Sequence, residues 1–243
     1  MADREAVVGF DTATPVLSVA AVRGDEVVYE DGSQPAPGER PPHNRELLAH
    51  VVTAADACGG WGEVVAIAVG IGPGSFTGLR IGVATARALA QALGVPLAPV
   101  GSLESLARGL AGRSEGAHAQ RLAVLDARRE QAFAALYGQG GEVAWEPFVA
   151  SPDELAARVA SLGESPLTCG DGSVRFRRQL EAAGARVLAD GDAGHLISAR
   201  HTCRLAAETE PSAPGEVEPI YLRPPDAELW RVKQRRESDH HKR

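Results

Sequence analysis

Residues 70–82 read GIGPGSFTGLRIG and come directly after the apolar run VVAIAVG, which ends at Gly70. We predict that the apolar run is a strand buried on both faces and that the residues after the glycines form a helix closing at Gly94. A glycine-rich turn before a helix N-terminus presents backbone amides to an anion. Two interpretations follow: a phosphate-binding loop, or a plain strand-to-helix turn.

The loop lacks the specific nucleotide-binding patterns. A P-loop requires a lysine that is absent, and the third glycine of a dinucleotide fingerprint starting at Gly72 is replaced by Thr77. Asp11, at the end of the first predicted strand, either holds a metal–phosphate complex through water or caps a turn. The candidate nucleotide-binding residues, in degenerate phosphate loops of weak or vestigial affinity, are Asp11, Gly72, Gly74, Ser75 and Gly78.

Composition narrows the class of protein. The chain has 243 residues, 44% hydrophobic and 23% charged, with a net charge of −7, which argues against a broad nucleic-acid-binding face. Residues 231–243 are locally basic, with six basic and two acidic residues. Three cysteines without CxxC spacing indicate neither a disulfide framework nor a thiolate metal site. With no secretion signal and no membrane-length apolar run, we expect a cytoplasmic protein without a membrane partner.

The order of predicted elements indicates two α/β lobes. Three strands over residues 6–31 precede a helix at 44–58, the strand at 64–70 and the helix that closes at Gly94. A second unit has strands at 120–128, 130–138 and 142–150, then a helix with a Ser-Pro-Asp-Glu start at Ser151. We therefore predict an N-terminal lobe over 1–104, a C-terminal lobe over 105–224 and a disordered charged tail over 225–243.

The helix at 79–93 is almost entirely apolar or small. Its large polar residues, Arg80, Arg87 and Gln91, share one narrow stripe, so we predict burial on two sides. By contrast, the segment DARREQAF at 126–133 mixes charges at a bend between two strands and is interpreted as a solvated turn.

No catalytic or metal-binding set emerges from the residues. His43 and His50 are seven apart, which is too far for a chelating pair on one helix face. There is no Gly-x-Ser-x-Gly elbow and no convincing Cys–His arrangement. We predict neither catalytic residues nor metal ligands in this chain.

Five stretches together resemble the TsaB family. They are FDTAT and LSVA within 10–20, GPGSFTGLRIG at 72–82, DARREQAFAALY at 126–137, CGDG at 169–172 and PIYLR at 219–223. The resemblance covers nearly all of residues 6–223, and GPGSFTGLRIG is its most specific motif. It implies a two-lobed actin-like fold of the hexokinase and Hsp70 type, an ATPase fold with ribonuclease H-like lobes.

The resemblance also implies a function. TsaB is a bacterial protein of the pathway that makes N6-threonylcarbamoyladenosine in tRNAs reading codons that start with A, and it is similar to its catalytic partner TsaD. TsaD-like proteins hold a metal with a His-x-x-x-His pair, whereas here Leu47 stands four residues after His43. The resemblance therefore implies a non-catalytic subunit that assembles with TsaD and the ATPase TsaE. This chain would require no cofactor, a nucleotide is possible at the complex interface, and tRNA would be met mainly through the complex.

In the family, lobe-one helices dock against equivalent helices of the partner. The docking residues implied for this chain are Leu47, Leu48, Val51 and Ala54 on the first helix and Ala84, Arg87, Ala88 and Gln91 on the second. Without the partner, the same patch could pair with itself in a homodimer.

Two other functions stay open at this stage. An ATP-dependent small-molecule kinase or carbamoyltransferase would use Asp11 and the glycine loop, and would bind ATP without a partner. A peptidase would contain stoichiometric zinc, for which the sequence offers no ligand set.

Overall fold

The computed structural model describes residues 5–36, 38–114 and 119–223. Lobe one is built on a five-stranded sheet in the order β3-β2-β1-β4-β5. Strands β1 to β3 are an antiparallel meander, and β4 and β5 run parallel to β1. The strands are β1 (Ala6–Asp11), β2 (Leu17–Arg23), β3 (Glu26–Ser33), β4 (Val64–Gly70) and β5 (Leu97–Val100). The predicted strands at 6–31 and 64–70 are confirmed.

Two helices cover one side of this sheet: α1 (His43–Ala57) and α2 (Phe76–Leu93). Helix α2 begins where the Ser75 hydroxyl caps the amide of Gly78, and it ends at Gly94 in the left-handed conformation. Both ends agree with the predicted helix. Apolar side chains of the two helices pack with those of β1 and β4 to form the core of lobe one.

Lobe two repeats the same topology, with a second five-stranded sheet in the order β10-β9-β6-β7-β8. Its strands are β6 (Arg121–Arg128), β7 (Gln131–Tyr137), β8 (Val143–Ala150), β9 (Leu167–Cys169) and β10 (Arg186–Val187). Helices α4 (Pro152–Ala160), α5 (Asp171–Arg175) and α6 (Arg177–Ala182) belong to this lobe. The predicted capping box is present, because Ser151 and Glu154 exchange hydrogen bonds at the start of α4.

The two lobes exchange one helix each. Helix α3 (Ser102–Ala111) follows β5 of lobe one but packs against β6 and β7, whereas α7 (Ala199–Ala206) follows lobe two and packs against β1 and β2. The two helices also touch each other through the hydroxyls of Ser105 and Thr202, 2.9 Å apart. The predicted boundary between 104 and 105 falls inside α3, and α7, within the predicted C-terminal lobe, packs on the sheet of lobe one. An amphipathic pattern shows that a helix covers a sheet but not which sheet it covers.

Residues 217–223, which we call the strap, run along α2 and then between the lobes. Arg87 donates two hydrogen bonds to the carbonyl of Val217, one of 2.8 Å from Nε, and the amide of Ile220 donates to the carbonyl of Ile71. The ring of Tyr221 lies on Phe76, with centroids 4.9 Å apart. The strap thus covers the side of α2 that carries Arg80 and Arg87. The predicted disorder of 225–243 lies outside the described residues, among which no helix is long and apolar enough to span a bilayer.

Candidate functional site

The glycine loop is filled by the chain itself. The turn between β1 and β2, which we call the lobe-one tip (residues 12–15), lies directly on it. A Cβ at Gly74 or Gly78 would overlap the carbonyl oxygen of Ala13 or Thr12, so only glycine permits this approach. The Thr12 hydroxyl donates to the carbonyl of Gly78 over 2.8 Å. The glycines therefore serve close packing of one tip against one helix start.

Three amides of the glycine loop, those of Gly72, Ser75 and Gly78, already have acceptors from the protein. The Ser75 amide donates to the carbonyl of Ala13 over 2.7 Å, and the Gly78 amide donates to the Ser75 hydroxyl. The Gly72 amide donates to the Ser102 hydroxyl over 3.1 Å. An anion would have to displace these acceptors, so the geometry favours the plain-turn interpretation of the loop.

Asp11 is buried at the end of β1, with both carboxylate oxygens engaged. Oδ1 accepts from the amide of Ala13 over 2.7 Å, and Oδ2 accepts from the Ser102 hydroxyl over 2.6 Å. Burial raises the pKa of the Asp11 carboxyl, and the two hydrogen bonds only partly oppose this shift. Asp11 therefore caps the lobe-one tip and ties it to the start of α3. Sequence reasoning missed Ser102, because its partner is 91 residues away and no local signal connects them.

A cleft of about 410 Å³ lies between the lobes, next to the glycine loop. The loop lines it with Gly74 and Ser75, and the strap lines it with residues 220–223. Asp11, Gly72 and Gly78 are not among the described residues that line it. Of the five candidate nucleotide-binding residues, Gly74 and Ser75 therefore line the cleft, whereas the other three do not.

The opposite wall of the cleft comes from the turn between β6 and β7. Here Asp126 accepts from the amide of Arg128 over 2.8 Å and forms an ion pair with Arg175 over 2.9 Å. Arg175 also pairs with Glu130. Asp171, which accepts from the amide of Asp126, has a pKa raised by burial. Sequence reasoning treated residues 126–133, which include Asp126, Arg128 and Glu130, as a solvated turn. Their mixed charges were the available signal, but nothing in the sequence placed them at the cleft.

Three of the four docking residues predicted on α1 are buried, and only Leu48 is exposed. Leu47, Val51 and Ala54 are at most 2% exposed and belong to the core of lobe one. The spacing that suggested a docking stripe is the same spacing that a core stripe has. The large apolar residues of α1 that are exposed are Leu48, 57% exposed, and Val52, 38% exposed and one turn further on.

On α2 the predicted docking residues divide into two groups. Ala84, Ala88 and Gln91 are exposed, whereas the half-buried Arg87 binds the strap. Helix α2 is thus buried on two sides, the side that faces the core and the side that lies under the strap. Its remaining side is exposed. We call Leu48, Val52, Ala84, Ala88 and Gln91 the outer face.

Metal ligation finds no support in the described ranges. Among those residues, no group of three or more His, Cys, Asp or Glu side chains could hold a metal ion. His43 is buried at the start of α1, and burial lowers the pKa of its imidazole. Cys58, Cys169 and Cys203 are buried and not bridged, and burial raises the pKa of the Cys169 thiol to about 12.

Two sheets of identical order, facing each other across a cleft, define a two-lobed actin-like ATPase fold. Residues 40–165 match the family model described as TsaD, tRNA N6-adenosine threonylcarbamoyltransferase. The tRNA threonylcarbamoyladenosine biosynthesis protein TsaB of Escherichia coli K12 is 31% identical over 89% of this chain and 94% of its own length. Its namesake from Bacillus subtilis is 33% identical over 54% of each chain.

Solved structures agree with these relatives. A Pseudomonas aeruginosa protein described as similar to the peptidase YEAZ superposes with a TM-score of 0.73 at 28% identity, covering 90% of this chain and 100% of its own. The structure described as YeaZ from the same organism gives the same TM-score and coverage at 26% identity. This chain belongs to the TsaB family, within the wider group that the TsaD model describes.

Proposed function

We propose that this chain is a non-catalytic subunit that binds a TsaD-like protein, together with a TsaE-like ATPase, to form N6-threonylcarbamoyladenosine in tRNAs reading codons that start with A. The observation that carries the proposal is the outer face, found on a chain that belongs to the TsaB family. The names of its relatives supply the pathway. The exposed helix pair supplies a surface by which such a subunit would act.

The outer face has the properties of a helix-docking surface. Leu48 and Val52 project from α1, and Ala84 and Ala88 on α2 are small enough to let another helix approach closely. The strap binds Arg80 and Arg87 of α2, so Gln91 is the one polar residue that the outer face includes. A TsaD-like partner of the same fold would offer the equivalent helix pair, and the residues that match the TsaD model include both α1 and α2.

The glycine loop supports a non-catalytic role. The Asp11 carboxylate and three of the loop's amides are engaged by groups of Ala13, Ser75 and Ser102. An enzyme of the kinase type would need those groups for a nucleotide and its metal. We therefore expect this chain to bind ATP no more tightly than millimolar when alone. Calorimetry with MgATP tests this, and micromolar binding that is lost in Asp11→Asn would favour the kinase alternative.

The docking proposal is tested by placing a charge on each helix of the outer face and, as a control, at another exposed position of α1. Leu48→Glu and Ala88→Glu should abolish binding to the TsaD-like partner in calorimetry, because a carboxylate would be buried against apolar side chains. Thr53→Glu, at an exposed position of α1 away from Leu48, is the control and should bind normally. All three variants should keep the circular dichroism of the native chain. Unchanged affinity in both outer-face variants would contradict the proposal.

The same surface makes a prediction for the isolated chain. Without the partner, the outer face would pair with a second copy across a two-fold axis. Sedimentation should then show a dimer that Leu48→Glu converts to a monomer and that the TsaD-like partner displaces.

A further inference from the structure

The turn between β6 and β7 has an unusual backbone. Arg128, Arg129 and Glu130, which we call the lobe-two tip, have φ values of 63°, 52° and 54°. Across the described residues, no other non-glycine residue has a positive φ. Two-residue hairpin turns of this kind normally use Asn-Gly or Gly, because a Cβ disfavours the left-handed region. The tip therefore carries charged side chains where the backbone alone would select glycine, and such outliers concentrate at functional sites.

Hydrogen bonds and ion pairs stabilise the conformation of the lobe-two tip. Asp126 accepts from the amide of Arg128, and Asp171 accepts from the amide of Asp126. Arg175 joins Asp126 to Glu130 by two ion pairs. The carboxylates thus engage the backbone and Arg175, and Asp126 also forms a 3.5 Å ion pair with Arg128, whose side chain is nevertheless 68% exposed. Arg129 is exposed as well, so both side chains lie at the surface of the tip.

Further positive charge lies at the same end of the cleft. Arg223, at the end of the strap, donates to Gln131 over 3.1 Å and lines the cleft with Arg128. The four arginines of this region are Arg128, Arg129, Arg175 and Arg223, and its three acids are Asp126, Glu130 and Asp171, which gives a local net charge of +1. The whole chain carries −7, so the region differs in sign from the rest of the protein. Guanidinium groups are well suited to phosphate, which they bind through paired N–H donors.

We propose that Arg128 and Arg129 of the lobe-two tip bind backbone phosphates of the tRNA on which the complex acts. This inference rests on the proposed function, which makes tRNA the substrate. It adds that this subunit meets the tRNA directly, at the mouth of its own cleft, with two arginines held by the support of Asp126 and Arg175. An acidic segment of a partner protein would use the same chemistry, and the experiment separates the two.

The test is a salt titration of tRNA affinity. The full chain, its TsaD-like partner and a tRNA transcript are combined, and affinity is measured by fluorescence anisotropy between 50 and 300 mM salt. Each lost phosphate contact lowers the slope of log affinity against log salt by about one. Arg128→Ala/Arg129→Ala should therefore lower the slope by about two. The matched control, Arg178→Ala/Arg186→Ala, removes the same charge from other exposed positions of lobe two and should leave the slope unchanged.

A glycine variant separates binding from folding. Arg128→Gly/Arg129→Gly suits the left-handed backbone, so its melting temperature should not fall below that of the native chain. Its salt slope should nevertheless fall as in the alanine variant. If the arginines act only in the fold, the glycine variant will keep the native slope, and the inference is wrong.

Complex formation is measured first, by sedimentation, so that the two proposals fail separately. A complex whose slope is unchanged in the tip variants overturns the inference and leaves the proposed function standing. Tip variants that lose the partner instead of the tRNA indicate an acidic protein contact and also overturn it. If no complex forms, the proposed function fails. The same titration on the chain alone then decides the inference, and an absence of tRNA binding there counts against it.

Discussion

The turn that follows the first strand of each sheet is stabilised differently in the two lobes. Asp11 and Asp126 are each the sixth residue of the first strand of their sheet, and each accepts a hydrogen bond from the amide two residues on. In lobe one the second carboxylate oxygen meets the neutral, buried Ser102, whereas in lobe two it meets the charged, exposed Arg175. One tip is packed against its neighbour and the other is presented to solvent. A shared topology therefore fixes where a carboxylate stands, and its partner decides what that carboxylate does.

The largest expected effect comes from filling the contact between the lobe-one tip and α2. Gly78→Ala would place a Cβ against the carbonyl of Thr12, and we expect a loss of about 3 kcal/mol in the free energy of unfolding. The control is Gly109→Ala in α3, where a Cβ would make only an ordinary contact with His201. That variant should gain about 1 kcal/mol from helix propensity. Urea denaturation measures both. Equal effects would show that the lobe-one tip is not close-packed.

The next largest difference in stability is expected between the variants that remove the carboxylates of Asp11 and Asp126. Asp11→Ala leaves the Ser102 hydroxyl and the Ala13 amide buried without an acceptor, which should cost about 3 kcal/mol. Asp126→Ala breaks ion pairs with exposed arginines and should cost about 1 kcal/mol. Thermal and urea unfolding of the two variants check this order. A larger loss in Asp126→Ala would reverse the comparison.

Whether a carboxylate is buried or paired with an arginine should also set the sign with which stability depends on pH. The pKa of Asp11 is raised by burial, whereas the pKa of Asp192 is lowered to about 2, first by hydrogen bonds from Arg113. The contribution of Asp192 to stability is then present above pH 3.8 and is lost as the pH falls through 2. That of Asp11 is present below pH 3.8 and is lost as the pH rises through its raised pKa.

Asn variants of both residues measure these signs. The deficit of Asp192→Asn should be about 1 kcal/mol at pH 7 and should vanish below pH 2. The deficit of Asp11→Asn should instead shrink as the pH rises from 3.8 to neutral. Urea titrations at several pH values would show opposite slopes, and parallel slopes would contradict the assignment of the shifts to burial and to Arg113.

The smallest effect concerns the strap, which touches both lobes. Arg87→Ala removes the donors to the carbonyl of Val217 and should cost about 1 kcal/mol. The amide of Ile220, which donates to Ile71, should then exchange its hydrogen faster, while the amides of β6 and β7 should not change. Hydrogen exchange with peptide resolution measures this difference. Equal exchange in the native chain and the variant would show that α2 does not hold the strap.

The regular elements of this fold were predictable because their signals are local. The strand at 64–70, the closing Gly94 of α2 and the capping box at Ser151 each depend on neighbours in sequence. The features that the sequence did not predict depend on contacts between residues far apart in the chain. The spacing of Leu47, Val51 and Ala54 gives the period of a helix face but not what covers it, and α7 returns to a sheet that ends about 100 residues earlier in the chain.

The site was less predictable than the fold. Family resemblance supplied the function, but the residues alone did not show that the lobe-one tip would occupy the glycine loop. The lack of glycine at positions 12–15 was the one local sign of this, since an anion-binding hairpin would use glycine there. The conformation of Arg128 and Arg129 left no sign at all, because sequence patterns would place glycine or asparagine in such a turn.

The exchange of helices between the lobes has a consequence for how the chain matures during synthesis. One side of the first sheet is covered by α7, through contacts such as that of Cys203 with Ala20. When the ribosome has made the whole of the first sheet, that covering helix does not yet exist. The nascent protein must therefore expose an apolar surface until residues 199–206 have emerged. A chain that stops before residue 199 should bind chaperones or precipitate rather than yield a separate first lobe.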